Sequence, residues 1–134
     1  MRKLTAVRLS WMALLAIGAG CSHEATVKEV SFKNDIYPIF QARCMICHAE
    51  GAPGCVASGF SLATYDSLMK GTKFGPMVVP GDSADSNLLT LVKHKADPSI
   101  AMPRSPTPGN PSGWLEAKQI DLIETWISQG ARNN

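Results

Sequence analysis

The chain has 134 residues, with 13 basic and 11 acidic side chains and a net charge of +2 at neutral pH. This length suits one small domain, and a charge so close to zero argues against the strongly basic surface of a nucleic-acid-binding protein. Candidate chemistry is therefore sought among the four cysteines and three histidines.

The first 21 residues have the pattern of a bacterial export signal. Arg2, Lys3 and Arg8 form a basic segment, and an apolar run over residues 11–19 follows it. Because a transmembrane helix needs roughly 20 apolar residues, this run predicts a secretory signal peptide instead. Small residues before Cys21 resemble a lipobox, which predicts cleavage and lipid attachment at that cysteine. The alternative is a plain secreted protein that is cut nearby.

Processing changes the charge and defines the segments that remain. Without residues 1–21, ten basic and eleven acidic side chains are left, a net charge of −1. Residues 22–31 are expected to be a polar tether, and residues 32–131 a single domain. A near-neutral domain of this kind predicts no nucleic-acid partner, and we expect a monomer.

A short helix is predicted to lead out of the tether. Apolar side chains recur at roughly helical spacing between residues 32 and 47. Asn34 or Asp35 is expected to cap the start of this helix, and Pro38 lies early enough to be tolerated in its first turn.

The helix runs directly into Cys44-Met45-Ile46-Cys47-His48, the one C-x-x-C-H sequence in the chain. Two thiols at this spacing can each form a thioether with a vinyl group of one porphyrin, and the next histidine can ligate the iron. The motif therefore predicts one covalent haem c, with Cys44 and Cys47 as attachment residues and His48 as an axial ligand. Haem is joined to such motifs outside the cytoplasm, in agreement with the export signal.

Thiol redox chemistry, zinc binding and a disulfide are the other possible uses of these cysteines. A thioredoxin-like redox pair needs a βαβ context that the sequence lacks, and a structural zinc site needs four ligands. Cys55 and His94 could complete such a site, although their spacing matches no familiar zinc pattern. A disulfide between Cys44 and Cys47 is the remaining alternative. Cys55 is expected to be an unpaired thiol in a glycine-rich segment.

The rest of the chain predicts a mainly helical domain. The expected elements, in order, are a loop over residues 49–59, a short helix within 61–71, an irregular stretch over 72–86, a helix capped by Asp85 or Ser86 that ends near residue 95, a proline-rich loop over 96–113, and an amphipathic helix over 117–129 stopped by Gly130. No stretch shows sustained strand alternation.

This order of elements resembles the class I cytochrome c fold, and more specifically the planctomycete-type cytochrome c domains. The residues that carry the resemblance are 32–40, 44–48, 75–82, 86–89, 102–103 and 126–131. The resemblance covers residues 32–131 and implies a small helical domain wrapped around one covalent haem. It also implies that Met102, which Pro103 follows, is the sixth ligand of the iron.

The sixth ligand decides the expected function. A methionine thioether favours ferrous iron and suits electron transfer, whereas His94 as the ligand would lower the potential. With Met102 bound, we expect a monohaem electron carrier, not an enzyme, that cycles Fe(III)/Fe(II) between periplasmic or membrane redox proteins. The alternative is a gas- or peroxide-binding sensor with an open sixth position, and a third option is a haem-free module. The expected location is the periplasmic face of a bacterial membrane as a lipoprotein, or else the soluble periplasm.

Overall fold

The computed structural model describes residues 28–104 and 113–134. The predicted signal peptide, lipidation at Cys21 and residues 22–27 of the tether lie outside these ranges and stay predictions. Within these two ranges a π-helical turn, Phe32–Ile36, is followed by six α-helices, which are α1 (Tyr37–Arg43), α2 (Met45–His48), α3 (Pro53–Ser58), α4 (Tyr65–Lys70), α5 (Asn87–Val92) and α6 (Ala117–Ser128).

The described residues contain two isolated β-bridges but no strand, so the prediction of a mainly α fold is confirmed. Each bridge closes a short turn, between Thr72 and Gly75 and between Val79 and Asp82. No helix in the described ranges has both the length and the apolar character needed to cross a membrane.

The first helical segment starts earlier than the sequence predicted. Ser31, not Asn34 or Asp35, is the capping residue, and its hydroxyl oxygen accepts a hydrogen bond from the Asn34 backbone N–H at 3.1 Å. Asp35 completes the cap from inside the turn, since its carboxylate accepts from the Ser31 N–H at 2.9 Å. The first turn is π-helical, and it continues directly into α1.

The prediction of a loop over residues 49–59 is wrong, because α3 lies within it. Pro53 occupies the start of α3, where its missing N–H costs no helical hydrogen bond. Gly59 ends the helix in a left-handed conformation, with φ of 76°. The residues that indicated a loop are therefore the start and stop signals of one short helix.

Phe32 lies at the centre of the aromatic core. Its ring centroid is 5.2 Å from that of Tyr65, 5.5 Å from that of Trp126 and 5.8 Å from that of Tyr37. Trp126 is on the buried side of α6, so the last helix packs against the segment that leads into the C-x-x-C-H motif. Aromatic pairs at these distances add specific contact energy to the burial of their apolar area.

The last residues of the sequence hold the start of the same segment. The Asn134 backbone carbonyl accepts hydrogen bonds from the Lys33 N–H and from the Ser31 hydroxyl, each at 2.9 Å. The Asn134 side-chain oxygen accepts from the Phe32 N–H at 2.8 Å. The start of the helical segment that leads to the C-x-x-C-H motif is therefore fixed by both packing and hydrogen bonds.

Ser86 precedes α5 as predicted, but its hydroxyl does not cap that helix. The side chain is fully buried, accepts from the Val79 N–H at 2.9 Å and donates to the Asp82 carbonyl at 2.7 Å. It therefore closes the turn over residues 79–82 against the start of α5.

Replacing Ser86 with alanine should lower the free energy of unfolding by about 1–3 kcal/mol, because the half-buried Val79 N–H loses its partner. Urea unfolding of the holoprotein measures this difference. Ser128→Ala, on the exposed side of α6, is the control and should change stability by less than about 0.5 kcal/mol. Equal stability of the two variants would contradict the role assigned to the Ser86 hydroxyl.

Candidate haem-binding site

The C-x-x-C-H motif lies at the junction of two short helices. Cys44 follows α1, and its N–H donates to the Phe40 carbonyl at 2.9 Å. The Cys44 carbonyl in turn accepts from the His48 N–H at 2.9 Å, which closes the single turn of α2. This turn brings the two cysteines and the histidine together on one short helical segment.

The thiols of the motif are free. Cys44 is half-buried, Cys47 is exposed, and neither forms a disulfide with the other or with Cys55. The arrangement gives no support to the alternative of a Cys44–Cys47 disulfide. Burial raises the pKa of the Cys44 thiol to about 11, opposed by the neighbouring Arg43 guanidinium and reinforced by the Cys47 thiol. In the folded chain, Cys44 is therefore a thiol at neutral pH.

The backbone fixes the His48 side chain. Nδ1 lies 3.0 Å from the Phe60 carbonyl oxygen, and the Phe60 ring meets the imidazole edge to face at 5.6 Å between centroids. A carbonyl can only accept, so Nδ1 carries the proton in the neutral ring and Nε2 keeps a free lone pair. Metal-binding histidines are commonly oriented by such a hydrogen bond from the other ring nitrogen. The Leu62 N–H donates to the His48 carbonyl at 2.8 Å and fixes the backbone as well.

Gly54 allows α3 to lie against the motif, a role that the sequence did not predict. A Cβ atom at this position would lie 2.7 Å from the Cys47 carbonyl oxygen and 3.2 Å from the Cys47 Cβ. Glycine is therefore required by the close approach of α3 to α2. The signal in the sequence was Pro53-Gly54 itself, which was interpreted as part of a loop.

A backbone hydrogen bond joins Met102 to α5. The Met102 N–H donates to the Leu91 carbonyl of α5 at 3.2 Å, and the side chain is half-buried. A turn at Asp97 precedes it. The Asp97 carboxylate accepts from the N–H and hydroxyl of Ser99, which lowers the pKa of Asp97, and its carbonyl accepts from the Ala101 N–H at 3.1 Å.

His94, the rival ligand, lies just beyond the end of α5 in a left-handed conformation with φ of 53°. Its N–H donates at 3.1 Å to the same Leu91 carbonyl that accepts from Met102. The imidazole stacks on Trp114, with 3.7 Å between ring centroids and 25° between planes. Burial lowers the pKa of His94, and its Nε2 atom is buried without a hydrogen-bond partner. The sequence predicts no role for Trp114, because nothing in the spacing links it to His94.

The residues present suit a covalently bound haem. Two free thiols, an imidazole with Nδ1 fixed and Nε2 free, and the Met102 thioether are the donor types that a c-type haem uses. Ile46, inside the motif itself, is 86% exposed, so an apolar side chain lies uncovered beside the two attachment cysteines. Within residues 28–104 and 113–134 no group of three or more His, Cys, Asp and Glu side chains could hold a metal ion, so the zinc alternative gains no support.

These features define a c-type haem protein built on a small helical domain. The family model described as Planctomycete cytochrome C matches residues 44–106, from the first cysteine of the motif to beyond Met102-Pro103. The match confirms the predicted resemblance over that segment. The match supports a covalently bound haem c.

Comparisons with whole proteins add little to the family match. No curated protein matches the chain. Among solved structures, it is similar to a chain of hydrazine synthase from Kuenenia stuttgartiensis, with 25% sequence identity and a TM-score of 0.49. The match covers 76% of this chain but 16% of the hydrazine synthase chain, so this chain spans a small part of that protein's length.

Proposed function

We propose that the protein is a monohaem electron carrier that works outside the cytoplasm, with His48 and Met102 as the axial ligands of the iron. The observation that carries the proposal is the state of His48, whose Nδ1 is tied to the Phe60 carbonyl while Nε2 is left free. The segment at Met102, anchored to α5 through the Leu91 carbonyl, supports the second ligand.

The bound haem would supply a one-electron Fe(III)/Fe(II) couple. Cys44 and Cys47 would hold the porphyrin covalently, and the Phe60 carbonyl would keep the His48 imidazole in one orientation. A neutral thioether from Met102 favours the ferrous state and raises the reduction potential. Hydrogen bonds fix the backbone of both ligand residues, so the ligand set is expected to move little between oxidation states.

The proposed setting follows from the N-terminal segment. Lipid attachment at Cys21 would place the domain at the periplasmic face of a bacterial membrane, and periplasmic or membrane redox proteins would be its partners. We propose a monomeric carrier with no catalytic site of its own. Soluble periplasmic protein is the alternative if the signal is cut without lipid attachment.

Replacing Met102 with alanine should abolish the far-red methionine–iron charge-transfer band of the oxidised protein and lower the reduction potential. The absorption spectrum of the ferric holoprotein and a redox titration measure the two effects. Met77→Leu is the matched control, because Met77 is a buried methionine of the core and leucine nearly conserves its volume. The control should keep the band.

Persistence of the band in Met102→Ala would show that another residue is the ligand. His94→Ala should also retain the band. A low-spin spectrum that lacks the band in the unchanged protein and becomes high-spin in His94→Ala would show instead that His94 is the ligand. A five-coordinate, high-spin spectrum in the unchanged protein would favour the gas- or peroxide-binding alternative over the carrier. Each of these spectra is recorded on the same purified holoprotein.

A further inference from the structure

The segment that carries Met102 is closed at its base by two stacked rings. His94 lies just after the end of α5 and before Met102 in the chain, and Trp114 follows Met102. The imidazole of His94 and the indole of Trp114 lie nearly parallel at 3.7 Å between centroids. The two ends of the ligand segment are therefore held together by side chains 20 positions apart in the sequence.

Trp114 is also tied to the haem motif. The Arg43 guanidinium donates from Nη2 to the Trp114 carbonyl at 2.7 Å, and Arg43 is the residue directly before Cys44. The Nε atom of Arg43 is buried and has no hydrogen-bond partner. Arg43 therefore reaches from the end of α1 to the point where the ligand segment returns.

The other end of the same segment is fixed to the body of the domain. Lys93, the neighbour of His94, forms an ion pair with Glu124 of α6 at 2.7 Å. Leu91 of α5 lies two residues before Lys93, and its carbonyl accepts hydrogen bonds from the N–H groups of both His94 and Met102. The end of α5 is thus a fixed support from which the ligand segment departs.

We infer that Arg43, His94 and Trp114 form a clasp that positions Met102, with Trp114 at its centre. The inference rests on the proposed His48/Met102 ligation. Holding the ends of a loop together removes much of its conformational freedom, so less entropy is lost when the thioether binds the iron. These three residues would act through Met102 and are positioning residues. In this assignment His94 supports the ligand segment and is not itself a ligand.

The rate at which excess imidazole displaces the methionine tests the clasp. In the ferric holoprotein this rate is followed by loss of the far-red band, and Trp114→Ala should raise it about 2- to 10-fold, the range expected for loss of one aromatic contact. Trp114→Phe keeps a ring against His94, and its rate of imidazole exchange should be close to that of the unchanged protein. His94→Ala should resemble Trp114→Ala, and the double variant should exceed neither by much, because both remove one shared contact.

A separate variant distinguishes positioning from general stability. Tyr37→Phe removes a hydrogen bond from the Tyr37 hydroxyl to the Ala63 carbonyl at 3.1 Å, outside the clasp. It should lower the unfolding midpoint without accelerating exchange. Arg43→Ala should accelerate exchange as Trp114→Ala does, and gives a second measurement if the tryptophan variant fails to take up haem.

Two results would overturn the clasp while His/Met ligation stands. The first is a rate of imidazole exchange in both Trp114→Ala and Arg43→Ala that equals the rate in the unchanged protein. The second is an acceleration in Tyr37→Phe as large as that in Trp114→Ala. In either case the band of the unchanged protein would still report methionine ligation. Absence of that band from the unchanged protein would instead overturn the proposed function, and the clasp with it.

Discussion

Replacing Cys44 and Cys47 together with alanine should remove the covalent haem completely, whereas Cys55→Ala should leave it in place. Each thioether needs one thiol of the motif, and the double variant has neither. Cys55 lies on α3, outside the C-x-x-C-H spacing. The mass of the protein, purified after export from a host that matures c-type cytochromes, measures the haem increment directly.

The two single variants test whether each cysteine forms one of the two thioether bonds. Cys44→Ala and Cys47→Ala each retain one thiol and the His48 imidazole, so haem should be attached through one bond and in lower yield. A covalent haem in the double variant would contradict the assignment of the motif. Loss of haem in Cys55→Ala would show instead that this third free thiol takes part in attachment.

The motif could be predicted from the sequence because its information is local. Five consecutive residues set the thiol spacing and place the histidine next to them, and the structure folds this stretch as one helical turn. The hydrogen bond that orients His48 is different, since its acceptor is a backbone carbonyl at Phe60. Every residue type offers that carbonyl, so the sequence carries no sign of it.

The missed helix α3 shows how a local signal can be assigned to the wrong cause. Glycine and proline indicate loops on average, but their order matters at helix ends. Pro53 opens α3 and Gly59 closes it, while Gly54 is required by the approach of α3 to Cys47. That last requirement depends on a tertiary contact and could not be recovered from the spacing.

The clasp at Trp114 lies beyond sequence reasoning for a related reason. Nothing in the intervening segment relates His94 to Trp114. The apolar spacing predicts a helix that ends near residue 95 and therefore includes His94. In the structure α5 ends at Val92, and His94 takes a left-handed conformation that turns the chain out of the helix. The stacked pair follows from that turn. Only the fold brings the two rings together.

Trp126→Ala should destabilise the domain by about 3–5 kcal/mol, the cost typical of deleting a large core side chain. The indole is 1% exposed, and its centroid lies 5.5 Å from that of Phe32. Its Nε1–H also donates to the Arg132 carbonyl at 2.9 Å. Urea unfolding of the holoprotein measures the loss, and the m-value should stay constant if the two-state transition is retained.

Trp126→Phe separates packing from the hydrogen bond. Phenylalanine keeps a ring against Phe32 but leaves the Arg132 carbonyl without this donor, so a smaller loss is expected, about 1–3 kcal/mol. A loss below about 1 kcal/mol in Trp126→Ala would contradict the central place given to this contact. The contact matters for the haem site because Phe32 begins the helical segment that ends at Cys44. We therefore expect Trp126→Ala to lower the yield of haem-loaded protein as well, although Trp126 belongs to neither the motif nor the clasp.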